Sequence, residues 1–219
     1  MTISKWGDFV ITVYYVMKHD GAVIDIPSAA LSLIPDDERE NVLKRTNAES
    51  RSDTLIGRIL LRRILYDRFG ISSYDTAIEL SESGKPYLKD HKDLHFSISH
   101  TKNCVACAVG ECPIGLDVEA VCDRDHSKIA VRMFTDNEKT VASQSEDGFY
   151  RIWTMKESFV KMTGDGIFGT SSDFDVLNGS GMGDAVILPL EIPSTAAHLC
   201  TRQADEVSLA EILELQQKE

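Results

Sequence analysis

The chain has no long apolar run. No stretch approaches the roughly 20 residues that a membrane-spanning helix needs, and Met1 to Asp8 carries no secretory leader pattern. A soluble, cytoplasmic protein without a membrane partner is therefore expected. Basic residues are scarce, with 23 Lys and Arg against 35 Asp and Glu and a net charge of −12. That deficit argues against nucleic acid as a partner, because affinity there comes from Lys and Arg neutralising phosphates. Cysteines number five, an odd count that without a leader points to reduced thiols. Cys104-x-x-Cys107 resembles half of a zinc site. It sits in an apolar run, Val105 to Val109, that reads as a buried strand, where residues three apart face opposite sides. No histidine pair follows at ligand spacing, so buried free thiols are expected. A hydrolytic Ser-His pair is also disfavoured. Ser99 and His100 are adjacent on an extended segment and face apart, and no nucleophile elbow is present.

What remains is an ordinary globular balance, 42% apolar and 26% charged over 219 residues, enough for one large domain or two small ones. Phe9 to Val16 is β-branched and aromatic and predicts a strand. Pro35-Asp-Asp-Glu opens a polar helical segment, and a stronger helix runs from Ser52 to Phe69 with Gly70 as its stop. Strands are predicted at Ala77–Leu80, Leu94–Ser99, Cys104–Val109 and Ile114–Glu119, with a turn at Ser83–Pro86. A second long helix is predicted from Glu146 to Thr163, ending at Gly164. Strands at Phe174–Leu177, Ala185–Leu188 and Ala197–Thr201 follow, with a Gly-rich turn at Asn178–Gly183. Each half thus offers a long helix followed by short strands, although no identity repeat is visible.

The richest segment is Trp153-Thr-Met-Lys-Glu-Ser-Phe-Val-Lys161. In a helix Trp153, Glu157 and Lys161 recur every four residues and share a face, with Lys156 about 100° away. Such a face is either a solvated ion pair or one wall of an anion site. Forty residues upstream, Ile114-Gly-Leu-Asp-Val-Glu119 places Asp117 and Glu119 on one side of a strand, where they repel unless a cation lies between them. A hard divalent ion such as Mg²⁺ suits two or three carboxylates, waters and phosphates. The rival reading is a solvated strand end. Phe96-Ser-Ile-Ser-His-Thr101 brings hydroxyls and an imidazole to a strand end, suited to phosphate or to capping a turn. Gly84-Lys85-Pro86 is a rigid turn bearing one cation.

Five segments, Gly84–Pro86, Phe96–His100, Ile114–Glu119, Phe134-Thr-x-x-Glu138 and Trp153–Lys161, together resemble the 4′-phosphopantetheinyl transferases in order and spacing. The length near 220 and the leading Trp153 resemble the monomeric, surfactin-synthetase-activating branch and not the short trimeric synthases. The resemblance implies an α/β (α+β) fold of two similar halves related by a pseudo-two-fold axis, divided here as 1–112 and 113–219. Coenzyme A and Mg²⁺, with Mn²⁺ as an alternative, would bind in the cleft between them. The implied reaction moves phosphopantetheine from coenzyme A to a serine of an apo acyl or peptidyl carrier protein and releases adenosine 3′,5′-bisphosphate.

By the same resemblance Asp117, Glu119 and Glu157 hold the metal, and Glu157 is the base, directly or through water. Lys161 steadies the α-phosphate, with Lys156 as the next candidate. Lys85 and Pro86 line the adenine end, and Thr54, Ser99 and His100 lie near the coenzyme phosphates, His100 at the 3′-phosphate. The chain departs from the family in bearing Asp36, Asp37, Glu38 and Asn41 where extra basic residues are usual, which leaves Lys44, Arg45 and Arg51 as substitutes. Carrier proteins are typically acidic, so a local docking surface on Lys128, Ile129, Arg132 and Met133 is expected to offset the overall charge. Glu157 should be partly buried and Lys161 should face the phosphates. A Mg²⁺-dependent phosphoesterase of another fold is the alternative that the carboxylates alone would allow.

Overall fold

The computed structural model describes residues 10–18, 28–164, 173–203 and 206–212. A first four-stranded sheet has the order β4-β5-β1-β9, built from β1 (Val10–Met17), β4 (His95–Thr101), β5 (Cys104–Gly110) and β9 (Glu206–Glu211). A second sheet has the order β6-β8-β7, from β6 (Ile114–Ala120), β7 (Val186–Pro189) and β8 (Thr195–Thr201). The short strands β2 (Ile78–Leu80) and β3 (Pro86–Leu88) form a separate hairpin across the turn containing Gly84, whose φ of 83° suits glycine. Helices α1 (Asp36–Leu43) and α2 (Ala48–Phe69) belong to the first half, and α3 (Ser127–Met133), α4 (Asp136–Ala142) and α5 (Gly148–Thr163) to the second.

The two halves repeat one topology. In the first, β1 leads through α2 to the antiparallel pair β4–β5, and β5 lies beside β1. In the second, β6 leads through α5 to the antiparallel pair β7–β8, and β8 lies beside β6. The two sheets face each other. Ile11, Val13, Ala106 and Ala108 of the first meet Ile114, Leu116, Val118 and Leu199 of the second in one apolar core. Period-2 alternation turns the other face of each sheet toward its helix. Val105, Cys107 and Val109 pack under Ile56, Leu60 and Ile64 of α2, and Cys200 packs under Phe159 and Met162 of α5. The order of layers is therefore α2, sheet, sheet, α5. Cys104 and Cys107 lie on opposite faces of β5, both buried and free, as strand geometry requires.

Three expectations need correction or addition. Phe174–Leu177 is a turn and not a strand. Asp175 Oδ1 accepts the backbone N–H groups of Leu177 (2.9 Å) and Asn178 (3.2 Å), satisfying in a turn the donors a ladder would have used. β3 begins on Pro86, where the missing N–H suits a strand start. β9 returns from the C-terminal half to pair in parallel with β1, so the division at 112/113 is one of sequence, while the first sheet draws on both ends of the chain.

Gly115 sets how closely α5 approaches β6. A Cβ at this position would lie 2.0 Å from the Ser158 carbonyl oxygen and 2.3 Å from the Met162 nitrogen, both backbone atoms that cannot swing aside. Gly115→Ala is expected to push α5 off the sheet and destabilise the fold by about 3 kcal/mol, the upper end for overpacked cores. Chemical denaturation of both proteins checks this, and an unchanged midpoint would contradict the close approach.

Candidate active site

The sheets join at β4 and β6 through side chains. The hydroxyls of Ser97, Ser99 and Thr101, every second residue of β4, accept the backbone N–H groups of Leu116 (2.9 Å), Val118 (3.2 Å) and Ala120 (2.9 Å). These are edge-strand donors that would otherwise need water or another strand. Two of the hydroxyls then donate onward, Ser99 to Asp117 Oδ1 at 2.9 Å and Thr101 to Glu119 Oε2 at 3.3 Å.

Asp117 and Glu119 face α5, as the alternation predicts. Asp117 is 4% exposed. Its Oδ1 also accepts Lys161 Nζ at 2.6 Å, and the same ammonium donates to Ser99 Oγ at 3.1 Å. Asp117 Oδ2 is buried with no hydrogen-bond partner. Glu157 is buried one turn before Lys161. Burial first, then the Asp117 charge, pushes its carboxyl up to about 7 against the pull of Lys161. Glu119 is also raised, by burial and then by Asp117, while Thr101, Lys161 and a hydrogen bond with Trp153 act in the opposite direction. Trp153 further stacks on Phe149 with ring centroids 5.9 Å apart. Among the described residues, no group of three or more His, Cys, Asp or Glu side chains forms a ready metal cage.

Two of the lysines turn away from this chemistry. Lys156 Nζ is buried, bonded to both carboxylate oxygens of Glu138 (3.0 and 2.9 Å) and to the Phe174 carbonyl at 2.9 Å. Its place 100° from the Glu157 face points it into the helix packing, so it cannot reach a ligand shared with Lys161. The expectation of a phosphate role for Lys156 is therefore corrected. Glu138 also closes a capping box with Thr135 at the start of α4, so the Phe134-Thr-x-x-Glu138 segment is structural. Lys85 Nζ donates to the Met162 carbonyl at 2.6 Å and lies 3.4 Å from that of Ile114, capping the end of α5. Lys85 and Pro86 do line a cleft of about 540 Å³ with Tyr87, His95, Phe96 and Thr163.

Ser99 and His100 face apart. His100 lies on the α2 side with its Nδ1 3.6 Å from Asp53 Oδ2. Thr54 is half-buried, its hydroxyl donating to the Ser50 carbonyl at 2.7 Å. Burial lowers the His100 pKa, Asp53 opposes this, and Lys161, Lys18 and Arg45 add to the lowering. Those cations therefore gather near the ring. Glu38 is internal, ion-paired with Arg62, so it does not oppose an anion at this end. Lys18 and Asp53 were not legible as site residues in the sequence, because Lys18 follows a strand with no motif around it and Asp53 lies among ordinary helix polar residues.

A family model for the 4′-phosphopantetheinyl transferase superfamily matches residues 113–210, and one for the 4′-phosphopantetheinyl transferase N-terminal region matches residues 26–112. A relative from Bacillus subtilis strain 168, 4′-phosphopantetheinyl transferase Sfp, is 32% identical over 171 residues, covering 73% of this chain and 76% of that protein. The chain belongs to the 4′-phosphopantetheinyl transferases. The transferase is also 32% identical over 158 residues to HetI of Nostoc, and 29% identical over 156 residues to the L-aminoadipate-semialdehyde dehydrogenase-phosphopantetheinyl transferase of mouse. The latter two alignments cover 66% and 63% of this chain and 67% and 50% of the relatives. This transferase is an enzyme of the Sfp-like branch, whose activity moves a phosphopantetheine arm to carrier proteins. Among its described residues no helix is long and apolar enough to cross a membrane.

The raised Glu157 carboxyl has a measurable consequence in metal-free, ligand-free buffer. Between its ordinary value of 4.5 and about 7 the folded state holds a proton that the unfolded state has released. Stability should therefore fall as pH rises through that window and level off above it. Glu157→Gln should flatten this slope in urea titrations across the range. A slope unaltered by the substitution would mean that the carboxyl titrates normally.

Proposed function

We propose that Asp117, Glu119 and Glu157 form the reacting centre, with Lys161 as the phosphate contact and a divalent cation held by the three carboxylates. The observation that carries this reading is the buried, unpartnered Asp117 Oδ2 beside Glu119, Glu157 and Lys161. A buried lone pair without a donor is costly unless a cation or ligand group completes it. An all-oxygen donor set suits Mg²⁺ with waters and phosphate oxygens, and Mn²⁺ less selectively. When bound, the ion would supply charge neutralisation on the diphosphate.

The protein's own groups account for the rest of the transfer. The carrier serine oxygen attacks the β-phosphorus, the one that carries the pantetheine arm. The phosphorus–oxygen bond to adenosine 3′,5′-bisphosphate breaks, and the serine proton passes to Glu157 directly or through a water. A carboxyl raised toward neutrality accepts that proton more readily than an ordinary one. Lys161 spends two N–H donors on Ser99 and Asp117, and an ammonium has three. The third is left for an α-phosphate oxygen, where it stabilises charge on the leaving group. The fixed Ser99 contact keeps this donor aimed without reorganisation during the reaction. Lys85 and Pro86, through their place on the 540 Å³ cleft, support an adenine end there. Thr54, Ser99 and His100 support the phosphate end, with the Arg45 charge acting on the His100 ring.

Intact-mass measurement of an apo carrier protein incubated with coenzyme A and Mg²⁺ tests the reading. The carrier should gain one phosphopantetheine on a serine, and chelation should abolish the gain. Glu157→Gln and Lys161→Met should each slow single-turnover transfer by about 10²-fold or more. Full activity of either variant would remove that residue from the assigned role.

For the carrier, α3 supports a revised docking surface. Met133 is buried with Phe134 in the core under α5 and drops out, because the last turn of α3 folds inward. Lys128, Ile129 and Arg132 are exposed, and Val131, 71% exposed, joins them. Paired charge reversal, Lys128→Glu with Arg132→Glu, should lower kcat/KM for an acidic carrier by about tenfold through slower encounter. The KM for coenzyme A should not move; carrier kinetics identical to those of the unaltered enzyme would exclude this face.

A further inference from the structure

Asp53 presents a problem of charge. It immediately precedes Thr54 on α2 and lies beside His100, the residue assigned to the coenzyme 3′-phosphate. A carboxylate there would repel a phosphate. The carboxylate is nevertheless buried, and so is the partner that neutralises it. Lys18, just beyond β1, contacts Asp53 Oδ1 at 2.6 Å, with side-chain exposures of 1% and 5%. Lys18 is itself fixed by its backbone N–H, which donates to the Asn103 carbonyl at 2.7 Å in the β4–β5 turn. The second carboxylate oxygen of Asp53 lies 3.6 Å from His100 Nδ1, inside ion-pair range but longer than a direct hydrogen bond. The other charges that bear on the His100 ring are Lys161 from α5 and Arg45 from the segment after α1, together with Lys18. Asp53 is the carboxylate among them.

We propose that Asp53 is a positioning residue for His100, and that Lys18 exists to hold Asp53 in that role without leaving net negative charge near the ligand. This rests on the assignment of His100 to the 3′-phosphate. A half-exposed imidazole at a strand end can take two ring orientations and two neutral tautomers. A fixed carboxylate at Nδ1 selects the Nδ1–H form and one orientation, which leaves Nε2 as the nitrogen free to meet a phosphate. The same carboxylate stabilises the imidazolium when a phosphate dianion is bound on the other side. The 3.6 Å separation closes to a hydrogen bond in the complex, as such contacts commonly tighten on ligand binding. Asp53 does not touch the ligand; it acts through His100.

The test compares coenzyme A with 3′-dephospho-coenzyme A in carrier modification. Asp53→Asn should raise KM for coenzyme A by about tenfold, the scale of lost outer-shell partners. It should leave KM for the dephospho substrate within twofold. In a His100→Ala background the Asp53→Asn substitution should add nothing. Because Asp53→Asn strands Lys18 in the interior, the double variant Lys18→Met with Asp53→Asn removes both buried charges together and should show the same loss of selectivity. Equal KM changes on both substrates, or an additive effect in the His100→Ala background, would overturn the proposal. Side-chain ¹⁵N NMR of His100 in the free enzyme gives a readout that mere packing would not move. The Nδ1–H tautomer should dominate in the unaltered protein and decline in Asp53→Asn; an unchanged tautomer ratio would refute the positioning role. If His100→Ala alone fails to distinguish the two substrates, the 3′-phosphate assignment falls, and the NMR result still decides whether Asp53 orients the ring.

Discussion

The structure depends on the row of hydroxyls that joins β4 to β6. Each half of the molecule is a three-stranded antiparallel unit with a helix on its outer face, and each ends in a strand whose backbone donors need partners. Ser97, Ser99 and Thr101 supply acceptors at the two-residue spacing of the N–H groups that face them. A backbone ladder would have made one continuous sheet and left no side chains at the junction. A side-chain junction leaves hydroxyls in the seam with protons still to donate, and two of them go to Asp117 and Glu119. The Ser99 hydroxyl is saturated, accepting from Val118 N–H and Lys161 Nζ and donating to Asp117. It thus fixes Asp117 and Lys161 against the same edge that holds the halves together.

The second requirement is that α5 lie close and stay put. Gly115 permits the approach, and Gly57 does the same for α2, where a Cβ would come within 2.7 Å of Ile98. Three lysines then divide the work along α5. Lys85 places a cation on the carbonyls at its C-terminal end, where the helix dipole favours positive charge. Lys156 ties its middle to Glu138 and the 174–176 turn. Lys161 alone of the three bonds to Asp117 and Ser99 at the seam. The buried Lys156 ammonium meets an acceptor with each of its three donors, the condition under which an interior ammonium is tolerated.

This division explains how an acidic protein of net charge −12 can offer a place for anionic phosphates. Glu38 and Asp53, which on sequence alone would oppose an anion, are each ion-paired in the interior, by Arg62 and Lys18. Burial first, and then the charge of Asp117, whose buried Oδ2 has no hydrogen-bond partner, raises the Glu157 carboxyl toward neutrality. The local charge balance is set by which residues are buried, not by the composition.

Much of the fold was legible because its signals are local. α2 and α5 follow apolar periodicity and stop at Gly70 and Gly164, both in the left-handed conformation that glycine adopts freely. The alternation in β6 places Asp117 and Glu119 on one face whatever lies opposite. Spacing in the 153–161 segment likewise determines that Glu157 and Lys161 share a helix face, and strand alternation in β4 that Ser99 and His100 part company. The partners were not legible, because contact across the chain leaves no trace in local spacing. Lys156 and Lys161 are equally good cations in sequence, and a rotation of 100° about α5 decides that one meets Glu138 and the other Asp117. β9 is a weak strand that exists because β1 offers it an edge, and the last turn of α3 buries Met133 because the core under α5 receives it. Lys18 and Asp53, 35 residues apart, become a pair only when α2 packs on the first sheet. The sequence by itself determined which side chains share a face, since backbone periodicity alone requires it. Tertiary structure decided which faces meet and which charges are thereby neutralised, since burial and pairing depend on what the rest of the chain brings to the same place.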